Sequence, residues 1–433
     1  MSMPPKIGPD TIIPERAPRL WVPLRFFLAG LASLGALLWI AISRAPLLAS
    51  DYLHNIATLA VTHLFTLGLG GFVVMGALYQ MAPVLLYSHL FSERMADVHF
   101  GVHAIGLTLM VVGFLGFNTV LISTGGGLVL TGAVLFVINL GITLRRAERW
   151  NWHGAFMPVS VLSFLSTLTW GFILALNQRY NLFGEVEGAA LNGHLTLGFL
   201  GWFSLMIVNV GLKLFPMFAP AKVLPARPVA VTAGSLAAGV LAMLAGLWLG
   251  RPLLWIGMVL AAASLLSYVV LISITYLHRR TGPLDFSIRF SLTAAYLMIP
   301  AVLALPWANR EWRAGLVFLF GLGFVGGTIL GMLLRIIPFM VWLHRFRNRT
   351  HKLEKIPFLH ELFQPRLAWT AYLTWFPAAV LISLGVAVEL GALIAAGGVT
   401  GLVGLAAYAW AVRQVLHHTR PGTPPLFPGA SRK

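Results

Sequence analysis

Long apolar stretches separated by short polar ones cover almost the whole chain. A helix needs about 20 mostly apolar residues to cross the hydrocarbon core of a bilayer. Twelve stretches meet this requirement: residues 24–47, 56–87, 98–118, 124–144, 154–176, 189–217, 229–249, 253–277, 287–307, 314–342, 368–388 and 393–412. We therefore expect an all-α polytopic membrane protein, with residues 23–415 as a single transmembrane domain.

The composition agrees with a membrane location. The 433 residues are 58% hydrophobic and only 10% charged, and the mean hydropathy is +0.84, whereas soluble domains carry about 25% charged residues. The chain has no cysteine. This excludes disulfides, iron–sulfur clusters and every thiolate-ligated haem, zinc or copper site.

The charge distribution predicts the orientation. In a soluble protein a formal net charge of +17 would suggest nucleic acid, but here it reflects the bias of Lys and Arg toward cytoplasmic loops. If residues 1–22 lie inside, the outer segments hold only Arg44, Arg179, Arg251, Arg310 and Arg313. We expect cytoplasmic tails at residues 1–22 and 416–433, in a bacterial-type inner membrane. The expected partner is the lipid bilayer, with respiratory-chain or other membrane subunits as candidates and no nucleic acid.

Spans two, six and ten are long and share a motif. Residues 63–83 read HLFTLGLGGFVVMGALYQMAP, residues 194–216 read HLTLGFLGWFSLMIVNVGLKLFP, and residues 316–338 read LVFLFGLGFVGGTILGMLLRIIP. Each has an early glycine cluster and a proline near its cytoplasmic end. The motif recurs every four spans, which predicts three pseudo-symmetric four-helix units. The unusual length of spans two, six and ten predicts that these helices are tilted or kinked. We expect Lys213 and Arg335, three positions before the last two prolines, to anchor these spans by reaching the inner interface.

Two histidines occupy matching positions in this motif. His63 and His194 are predicted to lie roughly 8–12 Å below the outer ends of spans two and six, at 1.5 Å per residue. Ionisable side chains at such a depth are rare, costly and usually functional. A neutral imidazole is a common metal ligand and a standard axial ligand of haem. The two histidines are therefore candidates for cofactor binding, and the alternative is a hydrogen bond between helices inside the bundle.

A second histidine pair begins span three. His99 and His103 are spaced i, i+4 and share one helix face, so the pair could chelate a metal ion. The alternative is a hydrogen-bonding role near the cytoplasmic interface. All acidic residues fall in loops, tails or helix ends, which disfavours a proton pump or a cation-coupled transporter, because these usually need intramembrane carboxylates.

With these motifs, the chain resembles the catalytic subunit (subunit I) of the haem–copper oxidase superfamily, in particular the C-family oxidases and nitric oxide reductases. It is more distantly similar to NnrS-type haem membrane proteins. The resemblance implies that His63 matches the span-two ligand of the low-spin haem and that His194 matches the span-six ligand of copper. Leu316 stands where the family places histidines in span ten, and span seven contains no histidine. The binuclear centre of an oxidase is therefore incomplete.

The function implied by this resemblance is that of a degenerate, oxidase-like membrane protein. It would bind one haem b, or copper, through His63 and His194, for electron transfer or for chemistry of nitric oxide or oxygen. The haem would be five-coordinate or ligated by both histidines. The alternative is a cofactor-free transporter or an accessory scaffold with the same architecture, in which His63 and His194 bind substrate or each other.

Overall fold

The computed structural model describes residues 16–50, 55–148, 152–280, 284–346 and 359–419. These residues form twelve helices long and apolar enough to cross a membrane and no strand, which confirms the all-α polytopic architecture. The spans are α1 Trp21–Ser43, α2 Ile56–Val84, α3 Glu93–Leu115, α4 Thr119–Arg145, α5 Phe156–Tyr180, α6 Glu187–Phe218, α7 Ala226–Leu249, α8 Arg251–Leu277, α9 Phe286–Ala304, α10 Arg310–Arg345, α11 Pro365–Ala387 and α12 Gly391–His417. Most of both predicted tails (residues 1–15 and 420–433) lies outside the described residues.

Polar caps fix where five spans begin. Each cap accepts a hydrogen bond from a backbone N–H of the first turn, which satisfies an amide that has no partner within the helix. The caps are Asn55, Ser92, Asn118, Asp285 and Asn309. Because of these caps, α3 and α10 begin at Glu93 and Arg310, several residues before their apolar stretches.

Three pairs of consecutive spans form tight hairpins through glycine. A Cβ atom would lie 2.9 Å from the facing carbonyl oxygen in the pairs Gly106–Gly125, Gly239–Gly257 and Gly397–Ala378. These contacts join α3 to α4, α7 to α8 and α11 to α12. A glycine at each contact lets the two backbones approach closely, which is how helices pack in lipid without a hydrophobic driving force between them.

The long spans α2, α6 and α10 are the most buried. About 70% of the apolar window is buried in each (72%, 67% and 72%), against 33–56% in the other spans. Each contains a π-helical segment: Leu64–Phe72 in α2, Thr196–Ser204 in α6 and Leu319–Gly326 in α10. The segment of α10 contacts those of α2 and α6. A wider π turn is common at functional sites, and here it occurs at the centre of the bundle.

Arg335 does not reach the interface as a free cation. Its Nη1 donates a hydrogen bond to Oδ2 of Asp285 over 2.8 Å, and its guanidinium lies over the ring of Phe218, 5.3 Å from the centroid. Arg335 therefore links α10 to the start of α9, and its role is an ion pair between segments of the protein.

Candidate cofactor-binding site

A cavity of about 390 Å³ lies between α2, α3, α4, α5 and α6, with the beginning of α10 on one side. This volume falls in the usual range of small-molecule and cofactor sites, about 300–1,000 Å³. Many of its lining side chains are aromatic: Phe65, Phe114, Phe164, Phe172, Phe199, Trp202, Phe203 and Phe318. Such a wall is suited to a flat apolar ligand.

The polar groups of the lining are few. They are Thr58, Thr62, His63, Thr66, Thr167, Gln178, Glu187 and His194. Among the described residues of the lining, Glu187 is the one carboxylate, and none is Lys or Arg. The two histidines predicted from the repeat thus line the same cavity, although they lie on different central spans.

His63 is held by its own helix. It is the last residue before the π-helical segment of α2, and its Nδ1 lies 2.8 Å from the carbonyl oxygen of Leu59, one turn earlier. A carbonyl oxygen can only accept a hydrogen bond, so Nδ1 carries the proton. The ring also packs on Phe114 of α3, with the centroids 4.9 Å apart. Nε2 is left with a free lone pair.

His194 is held by the neighbouring helix. Its Nδ1 lies 3.0 Å from the carbonyl oxygen of Thr167 on α5, which assigns the same tautomer as in His63. Gly171, one turn further along α5, makes room for the ring, because a Cβ there would lie 2.7 Å from Cε1 of His194. Trp170 fixes α5 against the start of α6 by donating from Nε1 to the carbonyl oxygen of Ala190 over 2.7 Å.

The two imidazoles therefore offer the same chemistry to one cavity. In both rings the hydrogen bond to the protein backbone runs through Nδ1, so Nε2 keeps its lone pair for a ligand. A neutral imidazole anchored through Nδ1 presents Nε2 as a metal ligand, and the anchoring bond fixes the orientation of the ring. It can also accept a hydrogen bond from the hydroxyl group of a ligand.

His99 and His103 lie elsewhere. Both are fully buried among the helices. Each makes a hydrogen bond to α2: Nδ1 of His99 lies 3.0 Å from the hydroxyl of Tyr79, and Nε2 of His103 lies 3.1 Å from the carbonyl oxygen of Leu67. The expected hydrogen-bonding role is present, but its partners belong to the protein core.

The residues that position His194 in the cavity could not be recognised from the sequence. Thr167 contributes a backbone carbonyl, which any residue could provide, and Gly171 is one of many glycines in the spans. Only the depth of the two histidines identified the site. In the described parts of the chain, no group of three or more His, Asp or Glu side chains gathers to hold a metal ion. A metal bound by His63 and His194 would therefore need further ligands from a cofactor.

The chain was compared with known proteins. No protein-family profile matches it, and no curated protein matches it either.

Proposed function

We propose that this polytopic membrane protein binds one haem b in the cavity between α2 and α6, through His63 and His194. The observation that carries the proposal is the pair of imidazoles that line one cavity, each with Nδ1 anchored to a backbone carbonyl, which leaves the lone pair on Nε2. This is the state in which histidine ligates a metal.

The donor set fits a haem better than a bare metal ion. Two imidazoles are a sufficient protein contribution for haem, because the porphyrin supplies four nitrogens of its own, whereas a bare ion such as zinc usually takes three or four protein ligands. The aromatic lining matches the faces of a porphyrin. The described lining residues include no cation that could pair with the haem propionates. The fit therefore concerns the porphyrin ring and its iron.

The chemistry depends on how many histidines ligate the iron. A haem held by both imidazoles would supply one-electron transfer, and a haem held by one would leave a position for nitric oxide or oxygen. The residues around the cavity would orient the two rings, through Leu59 and Thr167, and exclude water with their aromatic side chains. Leu316 supplies no third ligand from α10, so we do not propose oxidase activity.

The proposed relation to the haem–copper oxidase superfamily is supported by two features that recur every four spans. One is a buried central span with a π-helical segment, in α2, α6 and α10. The other is the glycine-mediated hairpin of α3–α4, α7–α8 and α11–α12. Both are expected if the chain consists of three pseudo-symmetric four-helix units, with the site at the junction of the first two.

The test is an optical difference spectrum, reduced minus oxidised, of the detergent-purified protein, with a pyridine haemochrome assay and metal analysis of the same sample. We expect about one haem per chain in the wild type and a marked loss in at least one of His63→Ala and His194→Ala, because these variants remove the proposed ligands. His278→Ala is the matched control, since His278 is exposed and far along the chain from the cavity. Unchanged haem content in both cavity variants would refute the assignment.

A second candidate function is a cofactor-free transporter or an accessory scaffold. The described lining residues favour it: none is Lys or Arg, with which haem propionates usually pair, whereas Nε2 of both histidines and the threonine hydroxyls could bind an uncharged ligand. A protein that stays colourless after expression with excess haem, and contains no copper, would support this alternative.

A further inference from the structure

His99 and His103 leave two nitrogen atoms without partners inside the first four spans. Both side chains have 0% exposure. Nε2 of His99 and Nδ1 of His103 are buried and have no hydrogen-bond partner among the described residues. An unsatisfied buried polar atom costs about 1–3 kcal/mol, and such atoms often mark a bound water or ion. Here two occur on adjacent turns of α3.

The two rings are close, and each is held through its other nitrogen. Their centroids lie 5.8 Å apart with an interplanar angle of 82°. Tyr79 holds Nδ1 of His99, and the carbonyl oxygen of Leu67 holds Nε2 of His103. A centroid separation of about 6 Å is what two imidazoles have when one metal ion lies between one nitrogen of each, given metal–nitrogen distances of about 2 Å.

Gly132 of α4 faces the same pair of rings. A Cβ on Gly132 would lie 3.3 Å from Cδ2 of His99 and 3.3 Å from Cβ of His103. Cδ2 is bonded to the free Nε2 of His99, so any side chain at position 132 would press on the part of the ring that carries this atom. The glycine keeps the space beside the unpaired nitrogens free of side-chain atoms.

Aromatic rings surround the pair. Phe26 and Phe136 contact His99 with centroids 5.2 and 5.6 Å away, and Phe72 contacts His103 at 4.8 Å. Such faces stabilise a cation that has been removed from water. The cation nearby, Arg25 of α1, is paired with Asp97, so its charge is already balanced.

The tautomers permit both nitrogens to ligate. Nε2 of His103 donates its proton to a carbonyl oxygen, so Nδ1 has a free lone pair. If Nδ1 of His99 donates to the hydroxyl oxygen of Tyr79, Nε2 of His99 has one as well, and no proton needs to leave on metal binding. Two neutral nitrogen ligands without a carboxylate do not match zinc or magnesium, which need more ligands.

We propose that Nε2 of His99 and Nδ1 of His103 bind one copper(I) ion within α1–α4, at a site separate from the cavity of His63 and His194. Copper(I) has a filled d shell, accepts two ligands, and carries only one charge to be buried. Imidazole is a suitable ligand for copper. Tyr79 is a positioning residue of this site, because it orients His99.

The test uses the full-length protein, purified anaerobically under reducing conditions and loaded with copper(I) in competition with bathocuproine disulfonate. We expect one copper per chain, and an X-ray absorption spectrum with two nitrogen neighbours. The double variant His99→Gln/His103→Gln should lose this copper, and the control His278→Gln should keep it. Tyr79→Phe should weaken copper binding by roughly 10- to 100-fold, the usual effect of removing the hydrogen-bond partner of a ligating histidine.

Two further variants test whether the copper lies between these two histidines. Gly132→Ala keeps both ligands but crowds both histidines, so it should lower copper affinity while the protein still folds, as measured by thermal unfolding. His63→Gln should retain the copper, whether or not the cavity binds haem. The proposal is wrong if the wild type binds no copper(I); an ordered water would then occupy the site. It is also wrong if His63→Gln loses the copper and the double variant keeps it.

Discussion

Gly171→Ala is the sharpest test of the cavity, because it displaces one proposed ligand without removing it. The new Cβ would lie 2.7 Å from Cε1 and 3.3 Å from Nδ1 of His194. Carbon atoms in ordinary contact are about 3.5–4.0 Å apart, so the ring must move by about 1 Å. That shift also stretches the 3.0 Å bond between His194 and the carbonyl oxygen of Thr167.

The expected loss of stability is small. Overpacking of a well-packed site costs about 1–3 kcal/mol. The lower end of this range applies here, because the contacted atom, Cε1 of His194, is at the far end of a side chain that can rotate. Replacing a glycine by alanine within a helix returns roughly 0.5–1 kcal/mol. The net loss in the free energy of unfolding should therefore be about 0–0.5 kcal/mol.

The expected effect on ligation is large. Metal–ligand distances tolerate deviations of only about 0.2 Å, so a ring displaced by about 1 Å no longer coordinates. Gly171→Ala should therefore match His194→Ala in haem content and in its reduced-minus-oxidised spectrum. Thermal unfolding in detergent would be measured on the same preparations.

Gly141→Ala is the matched control. No atom would lie within 4 Å of a Cβ at position 141, so this variant should keep the haem and the unfolding temperature of the wild type. The reasoning is refuted if Gly171→Ala retains a wild-type spectrum while His194→Ala loses it, because the ring would then tolerate the added methyl group in its ligating position.

Three further predictions concern the packing of the bundle. Gly239→Leu should prevent the close approach of α7 and α8 and lower the yield of folded protein, whereas Gly141→Leu should not, as gel filtration in detergent can show. Asp285→Ala removes a helix cap and the partner of Arg335, and should cost about 1–2 kcal/mol in chemical unfolding. Tyr408→Phe leaves the buried carbonyl oxygen of Leu330 without its 2.7 Å donor, and should cost about 1 kcal/mol in the same assay.

The number of spans followed from the sequence because it depends on a coarse quantity, the length of each apolar stretch. All twelve predicted stretches overlap the observed helices. The ends were less accurate where capping decides them: Ser92 and Asn309 begin α3 and α10 earlier than the apolar residues do. A rule based on hydrophobicity does not detect a capping residue, because the cap and the first helical turn are polar.

The π-helical segments could not be predicted from periodicity. In α2, α6 and α10 almost every residue is apolar, so the pattern of polar and apolar positions does not distinguish a turn of 3.6 residues from a wider one. The unusual length of these spans was the only signal, and it was interpreted as a tilt or a kink. The structure shows a change of helix type, in the same relative place in each span.

The histidines show which features of a site can be predicted from the depth of a side chain in the membrane and which cannot. His63 and His194 were selected because an ionisable group in lipid is costly, and this argument needs no knowledge of the packing. That they line one cavity depends on the rotation of α2 and α6, which the sequence does not encode locally.

The different anchoring of the two cavity histidines makes them unequal, and this gives a last prediction. His63 is held within its own helix, through Leu59, so its orientation does not depend on α5, whereas His194 is held by Thr167 of α5. Trp170→Phe removes the bond from Trp170 to Ala190 that fixes α5 against α6, and should loosen His194 alone. If both histidines ligate the iron, the reduced Trp170→Phe protein should bind carbon monoxide more readily than the wild type, because His194 is more easily displaced. If only His63 ligates it, carbon monoxide binding should be the same in both proteins.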